Sequence, residues 1–304
     1  MAATQTAEPL HLSGDTTEQQ NEKLKAVLHG SMEDAFALSI AKLDQHSAQC
    51  ILESERQLRR ELVEAAAGIL QKHTSSDKYQ DEQVKSSRIY PSTFKIRPIE
   101  AQATELKKAF PQLGSCWERL ARRSLPEHAE GWFALPRWQS LAPNYSKAVE
   151  MMVNAVASKR RFQNRIANRL SSSYLRQLER TILAEGILAE QQQGNDILVM
   201  AAQLGMRHRG CSARRARTRM AGNEFALGAF AMATILLTHP ERLSSEDTLM
   251  IDCGGDQYSI NGDYNWDRVP LFDYDISGIE FSIFYEDRSR DLWGMPSAFL
   301  FKMD

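Results

Sequence analysis

Eight residues in the middle of the chain combine groups that bind anions. The turn Gly205–Ser212 (GMRHRGCS) places two arginines and a histidine between two glycines. Its backbone N–H groups, with the guanidiniums of Arg207 and Arg209, suit phosphate or sulfate, and His208 between them is the candidate for acid–base catalysis. The turn lacks the Gly-Lys-Ser/Thr ending of a Walker loop and the spacing of a dinucleotide fingerprint. Anion binding without catalysis is therefore the favoured interpretation.

A row of arginines precedes this turn. Apolar residues recur at every fourth position through residues 162–182, which predicts a helix with five arginines gathered beside its apolar face. Charges spaced along a helix match the phosphates of a nucleic-acid strand, whereas the alternative is a solvated face or salt bridges to the acidic C-terminal half. The predicted anion- and nucleic-acid-binding residues are Arg161, Arg165, Arg169, Arg176, Arg180, Arg207, Arg209, Arg214 and Arg215.

The charge is distributed unevenly along the chain. The formal net charge is only −2, which gives no global attraction to nucleic acid or membrane. Residues 159–219, however, hold thirteen Lys or Arg and four acidic residues, a net charge of +9, and residues 220–304 hold five against fifteen, a net charge of −10. This asymmetry indicates either a polyanion-binding patch or two segments that neutralise each other within one fold.

Two aspartates of the C-terminal half are the candidates for a metal site. Asp252 and Asp256 belong to the Gly-containing loop DCGGDQYSINGDYNWD, and clustered carboxylates suit Mg²⁺ or Ca²⁺. The spacing is not that of an EF-hand, so neither a metal nor a cofactor is expected. The seven histidines form no HxxxH or HExxH pattern and no GxSxG is present, which excludes zinc and serine hydrolases of those types.

The cysteines and the apolar runs indicate where the protein resides. Cys50, Cys116, Cys211 and Cys253 form no CxxC pair, so free thiols in a reducing compartment are expected. The N-terminus lacks the basic start and apolar core of a secretory signal. The longest apolar run, Phe225–Leu237, is shorter than the roughly 20 residues that cross a bilayer. A soluble cytoplasmic protein without membrane contact is predicted.

The domain organisation follows from composition. Residues 1–15 are polar and predicted to be disordered, and residues 16–80 are predicted to form a helical arm with a break near His46. The heptads of the arm are irregular, which favours a helical hairpin or loose bundle over a strict coiled coil. The remaining body, residues 84–304, divides into a Pro- and Trp-rich, loop-dominated region (84–145), basic helices (146–194) and a mixed α/β core (195–304).

The body is predicted to have an α+β fold, with several short strands and one buried helix. The predicted helices are Ala101–Phe110 and the apolar segment Phe225–Leu237. The predicted strands are Gly131–Trp138, Ile197–Met200, Asp247–Cys253, the hairpin pair Val269–Tyr274 and Ile279–Tyr285, and Ala298–Lys302.

Four segments carry a resemblance to other proteins. EGWFALPRW, GMRHRG, NEFALGAF and LLTHPERL, spread over roughly residues 88–255, resemble uncharacterised bacterial proteins. The resemblance leaves the arm outside and implies neither a fold nor an activity. It favours a bacterial or mobile-element origin.

Three functions are compatible with these patterns. The leading hypothesis is a polyanion-binding accessory protein, with nucleic acid as the polyanion and no turnover. The second is an enzyme that acts on a phosphate-bearing small molecule or nucleotide between the Arg207–Gly210 turn and the Asp252–Asp256 loop. The third is a scaffold that self-associates through residues 16–73. No catalytic signature distinguishes these three functions, and the sequence patterns favour a protein that is not an enzyme.

Overall fold

The computed structural model describes residues 18–40, 43–55, 57–58, 61–62, 65 and 79–301. The chain divides into two compact units, Met1–Lys78 and Tyr79–Asp304. The predictions of a disordered tail over 1–15 and of a helical arm beyond residue 65 lie outside the described residues.

The first unit contains the helices α1 (Glu18–Ile40) and α2 (Gln45–Glu53). Asp44 caps α2, since its carboxylate accepts a hydrogen bond from the Ser47 backbone N–H at 2.7 Å. The break predicted near His46 is thus confirmed slightly earlier, at residues 43–44, which are not helical. Several apolar side chains of these helices are exposed within the unit, among them Val27, Phe36 and Leu38.

A four-stranded antiparallel sheet forms the centre of the second unit. Its strand order is β1 (Gly131–Pro136), β4 (Ile197–Gln203), β11 (Ser297–Phe299) and β5 (Glu224–Ala226). Every residue of β1 and β4 is buried, which explains why their sequences are continuous apolar runs rather than alternating ones.

A second, mixed sheet lies in the same unit. Its path runs through β10 (Trp293–Gly294), β6 (Met250–Asp252), β8 (Arg268–Asp275), β7 (Asp256–Tyr258) and β3 (Leu175–Gln177). The strand β9 (Gly278–Tyr285) forms a hairpin with β8 and pairs in parallel with β2 (Phe162–Asn164). The sheet therefore joins segments that are far apart in the sequence.

Five helices complete the second unit as described: α3 (Ile99–Ala109), α4 (Tyr145–Ala157), α5 (Glu179–Gln191), α6 (Ala213–Thr218) and α7 (Ala229–Thr238). All ten residues of α7 are buried, as expected for a helix that is apolar on every side. It packs against α4, α3 and β1. None of the described helices has the length and apolar character needed to span a bilayer.

The structure confirms the α+β class, the buried helix, the β8–β9 hairpin and the other predicted strands. Most ends of these elements lie within one to three residues of the predicted positions. The helix predicted along the arginine row is wrong. Between α4 and α5 the chain instead forms β2 and β3, with a 3₁₀ turn at Ala167–Arg169 between them. The physical reason is that positions four apart also lie on one face of a strand, because four is even.

Candidate functional site

A cavity of about 430 Å³ lies where α4, α5, β1 and β3 meet. Its wall is largely apolar and includes the aromatic rings of Trp138 and Tyr145, which contact edge to face with centroids 6.1 Å apart. Volume and lining are those of a small-molecule site. The apolar and aromatic residues of the wall are Leu135, Pro136, Trp138, Tyr145, Leu175, Ile182, Ala189 and Leu198.

Glu185 provides the acidic group of this wall. The side-chain amide of Gln177, on β3, donates a hydrogen bond to Oε2 of Glu185 at 3.0 Å. Oε1 receives no hydrogen bond from the residues that the structure describes. Burial raises the pKa of Glu185 to about 7, partly offset by the Gln177 hydrogen bond. One oxygen of this carboxyl therefore accepts a hydrogen bond within the protein, and the other is available to a ligand.

Tyr145, the first residue of α4, links the cavity to a second carboxyl, which is fully buried. The Tyr145 hydroxyl donates to Asp256, with distances of 2.8 and 2.9 Å to the two carboxylate oxygens. The Ala229 backbone N–H, at the start of α7, donates to Asp256 at 2.7 Å. Burial raises the pKa of Asp256 to about 7. Burial also raises the pKa of Tyr145 well above its usual value, with Asp256 adding to the effect, so the phenol keeps its proton.

The two arginines of the cavity wall are committed to other contacts. Arg137 donates to the backbone carbonyls of Asn195 (2.7 Å), Ala189 (2.6 Å) and Gln192 (3.1 Å). Arg176 donates to Gln257 at 2.8 Å, and its guanidinium lies 4.3 Å from the centroid of a Trp266 ring. Glu185 is the acid of the wall, and its Oε1 has no hydrogen-bond partner among the described residues.

Gly186 forms part of the same wall in the middle of α5. A Cβ at this position would meet no atom within 4 Å. The absence of a side chain here leaves the cavity open on this side.

The predicted anion-binding turn is folded around a carboxylate of the chain itself. Glu224 is fully buried and accepts from Arg207 Nε at 3.2 Å and from Ser297 at 2.5 Å, while His208 Nε2 lies 2.7 Å from its Oε1. Burial alone raises the pKa of Glu224, but the His208 and Ser297 contacts bring it down to about 2. His208 is itself buried, is absent from the cavity lining, and its Nδ1 has no partner among the described residues.

The other arginines near the turn also lie within the fold. Arg209 donates to the Arg88 carbonyl at 3.1 Å, and Arg214 grips Glu82, with Nε at 2.7 and 2.8 Å from its two oxygens. Arg215 is buried. These arginines are clustered, as the sequence indicates, but Glu82 and the Arg88 carbonyl of the chain itself accept hydrogen bonds from them.

The five arginines of the predicted row are all exposed, but they do not share a helix. Arg165 pairs with Glu280 at 2.8 Å, and Arg169 donates to the Ile260 carbonyl at 3.4 Å. Arg180, at the start of α5, donates to the carbonyls of Ala221 and Gly222, and Arg176 contacts Gln257 as described above. Arg161 shows no side-chain hydrogen bond or ion pair among the described residues.

The two candidate metal ligands lie on neighbouring segments, Asp252 on β6 and Asp256 on β7. Burial raises the pKa of Asp252 to about 7. Among the described residues no group of three or more His, Cys, Asp or Glu side chains is arranged to hold a metal ion. Asp256 instead belongs to the Tyr145 pair beside the cavity.

Sequence reasoning singled out Asp256 but missed Glu185, Tyr145 and Gln177. A signal for Glu185 was present: it stands in the apolar stretch ILAEGILAE, next to the buried Ala184. A carboxyl group at such a position is costly to bury unless it has a hydrogen-bond partner or binds a ligand. Tyr145 and Gln177 give no local signal, because only the tertiary fold brings them to Glu185.

Comparison of the chain with protein-family models, with curated proteins and with solved structures finds no match to any of them.

Proposed function

We propose that the protein binds a small molecule in the cavity between α4, α5, β1 and β3. One observation carries the proposal: a largely apolar space of about 430 Å³ contains a carboxyl group whose Oε1 has no partner among the described residues. A half-satisfied polar group in an apolar cavity is costly unless a ligand or water completes its hydrogen bonding.

Proton exchange with the bound molecule is part of this proposal. A carboxyl with a pKa near 7 populates both protonation states at neutral pH, which suits it to give or take a proton. Glu185 is the group placed for that role, and the Tyr145–Asp256 pair stands beside it.

Steric blocking of the cavity tests the proposal. The variant Gly186→Leu adds a side chain at the cavity wall without clash at Cβ, and Gly30→Leu is the matched control, a glycine in α1 that also has open space around it. Saturation-transfer NMR with a panel of small organic fragments should show binders that Gly186→Leu loses and Gly30→Leu keeps. Fragments that bind equally well to both variants and to the parent protein would place the binding site elsewhere.

Polyanion binding is a second proposal, with nucleic acid as the ligand. It is supported by the exposure of Arg161, Arg165, Arg169, Arg176 and Arg180, of which Arg161 shows no side-chain hydrogen bond or ion pair within the described residues. Fluorescence anisotropy with labelled single-stranded DNA, duplex DNA and RNA at two salt concentrations measures it. The double change Arg161→Glu with Arg169→Glu should abolish salt-sensitive binding, whereas Arg288→Glu, an exposed arginine elsewhere, should leave most of it. Equal binding by both variants would refute the site.

Self-association through the arm is a third proposal. It is supported by large apolar side chains that are exposed within the first unit: Val27 is 66% exposed, Phe36 63% and Leu38 74%. Light scattering should give a mass above that of one chain for the parent protein and a lower one for Val27→Ser with Leu38→Ser. A monomeric parent protein would remove this proposal.

We also propose a cytoplasmic location. The four cysteines are free thiols, two of them buried, which suits a reducing compartment.

A further inference from the structure

We infer that the ligand of the Glu185 cavity is a protonated amine attached to an apolar, ring-bearing body. The inference rests on the small-molecule proposal above and names the ligand class of that site. It combines three features of the cavity: the open acceptor of Glu185, the arginines whose N–H groups are partly used by other acceptors, and the aromatic wall.

The open hydrogen-bonding position of the acid is an acceptor. Oε1 of Glu185 has no protein partner among the described residues, and Oε2 has only the Gln177 amide. The Tyr145 hydroxyl donates to Asp256 and accepts from the Phe230 backbone N–H, so Tyr145 offers a ligand its ring rather than a hydrogen bond. A group with several N–H donors complements this arrangement, as an ammonium does.

Both arginines of the wall are positively charged, but several of their N–H groups already donate to neutral acceptors. The guanidinium of Arg137 is held by three backbone carbonyls, and that of Arg176 by Gln257 and Trp266. A carboxylate or phosphate in the cavity would therefore meet Glu185 while several of the guanidinium N–H groups already have acceptors. The open carboxylate oxygen therefore favours a cationic hydrogen-bond donor as the ligand.

The remaining wall suits the body of such a ligand. Trp138 and Tyr145 present aromatic rings that attract a cation or pack against another ring, and the aliphatic side chains nearby have no polar groups to satisfy. The volume of about 430 Å³ accommodates a molecule the size of an arylalkylamine.

Binding of an ammonium should also change the protonation of the site. Gln177 and Tyr145 face Glu185, Asp256 lies behind Tyr145, and the charged Arg137 and Arg176 line the same wall. The charge of Glu185 adds to the raised pKa of Asp256. A cation beside Glu185 favours its ionised form, so binding releases a proton where Glu185 was protonated. Affinity for the amine should accordingly rise between pH 6 and pH 8, and affinity for an uncharged analogue should not.

Three probes of similar size and shape test the inference on the full-length protein: 2-phenylethylamine, 2-phenylethanol and 3-phenylpropionate. NMR titrations at pH 6 and pH 8 give their affinities for the parent protein, for Glu185→Gln and for Glu190→Gln. Glu190 is an exposed acid of the same helix and serves as the matched control.

The expected result is that the amine binds about tenfold or more tightly than the alcohol at pH 8, with the propionate weakest. Glu185→Gln should remove that preference, leave the alcohol unchanged and also remove the pH dependence, whereas Glu190→Gln should alter neither. Equal affinity for amine and alcohol, or a preference for the propionate, would overturn the ligand class and leave the small-molecule proposal standing. Absence of binding by all three probes would overturn the ligand class as well, and the Gly186→Leu fragment experiment then decides whether the cavity binds anything.

Discussion

The single carboxyl of Glu185 links the stability of the protein to its candidate ligand site. Its pKa is about 7 in the folded protein against 4.5 for an ordinary glutamate. The folded state therefore holds a proton that the unfolded chain releases between these values, so this residue's contribution to stability declines as pH rises from about 4.5 to about 7. An acid held in this way carries a stability cost at neutral pH that an enclosed ligand can offset.

Replacement of Glu185 by Gln should remove that decline. The introduced amide stays neutral at every pH, and its oxygen can still accept the hydrogen bond from Gln177. The melting temperature of the variant minus that of the parent should therefore be higher at pH 8 than at pH 5. Thermal unfolding at the two pH values checks this, with Glu190→Gln as the control. A difference between variant and parent that is the same at both pH values would contradict the shifted pKa.

The carboxylate of Glu224 shows the opposite behaviour. Its folded pKa of about 2 lies below the usual 4.5, so its contribution to stability is present above pH 4.5 and is lost as pH falls toward 2. Glu224→Gln puts an amide NH₂ among the donors His208, Ser297 and Arg207 and should cost about 3 kcal/mol at pH 7. Urea unfolding measures the loss. A cost below about 1 kcal/mol would show that these contacts are weak.

At the scale of secondary-structure elements, the backbone of β10 lies close to the turn after β4 and leaves no room for a side chain at Gly294. A Cβ at Gly294 would lie 2.4 Å from the carbonyl oxygen of Gly205. The residue Gly205 itself has a φ of +122°, which favours glycine. Gly294→Ala must therefore displace the backbone and should lower the free energy of unfolding by about 2 kcal/mol or more. Gly222→Ala, where the added Cβ meets nothing, should have little effect in the same urea titration. Equal stability of the two variants would contradict the close approach.

The same elements also show how much of the fold could be predicted from the sequence. The helix α7 and the strand β4 were predictable, because a continuous apolar run identifies a buried element whatever its partners are. The segment between α4 and α5 was not, because its apolar spacing fits helix and strand alike and its partners β9 and β7 lie about eighty residues or more further on. The cavity depends on the same kind of contact: Glu185, Gln177, Tyr145 and Asp256 come from four different elements.

For the whole molecule, the opposite charges of the two segments are partly neutralised inside the fold. Ion pairs join residues 159–219 to residues 220–304 at Arg165–Glu280, Arg207–Glu224 and Arg217–Glu286. One of the two alternatives drawn from the charge asymmetry thus has direct structural support. Four exposed arginines of the predicted row form no ion pair among the described residues and so keep their charge for a polyanion: Arg161, Arg169, Arg176 and Arg180.

A double-mutant cycle on Arg217 and Glu286 measures this neutralisation. The pair is separated by 2.5 Å and both side chains are about four-fifths buried, at 17% and 21% exposure, so replacing each by Ala should give a coupling of about 1 kcal/mol or more. The exposed pair Arg288–Asp287, at 3.8 Å, should give almost none. Equal couplings for the two pairs would contradict a structural role for the inter-segment contact.

The position of β11 in the central sheet has a consequence for the order of assembly during synthesis. Residues 297–299 lie between β4 and β5, so those two strands have no common neighbour until this late segment has been made. Until then β4, apolar throughout most of its length, presents a free edge to other nascent chains. The central sheet is therefore completed late, and a chain that stops before Ser297 is left with the kind of edge that drives aggregation.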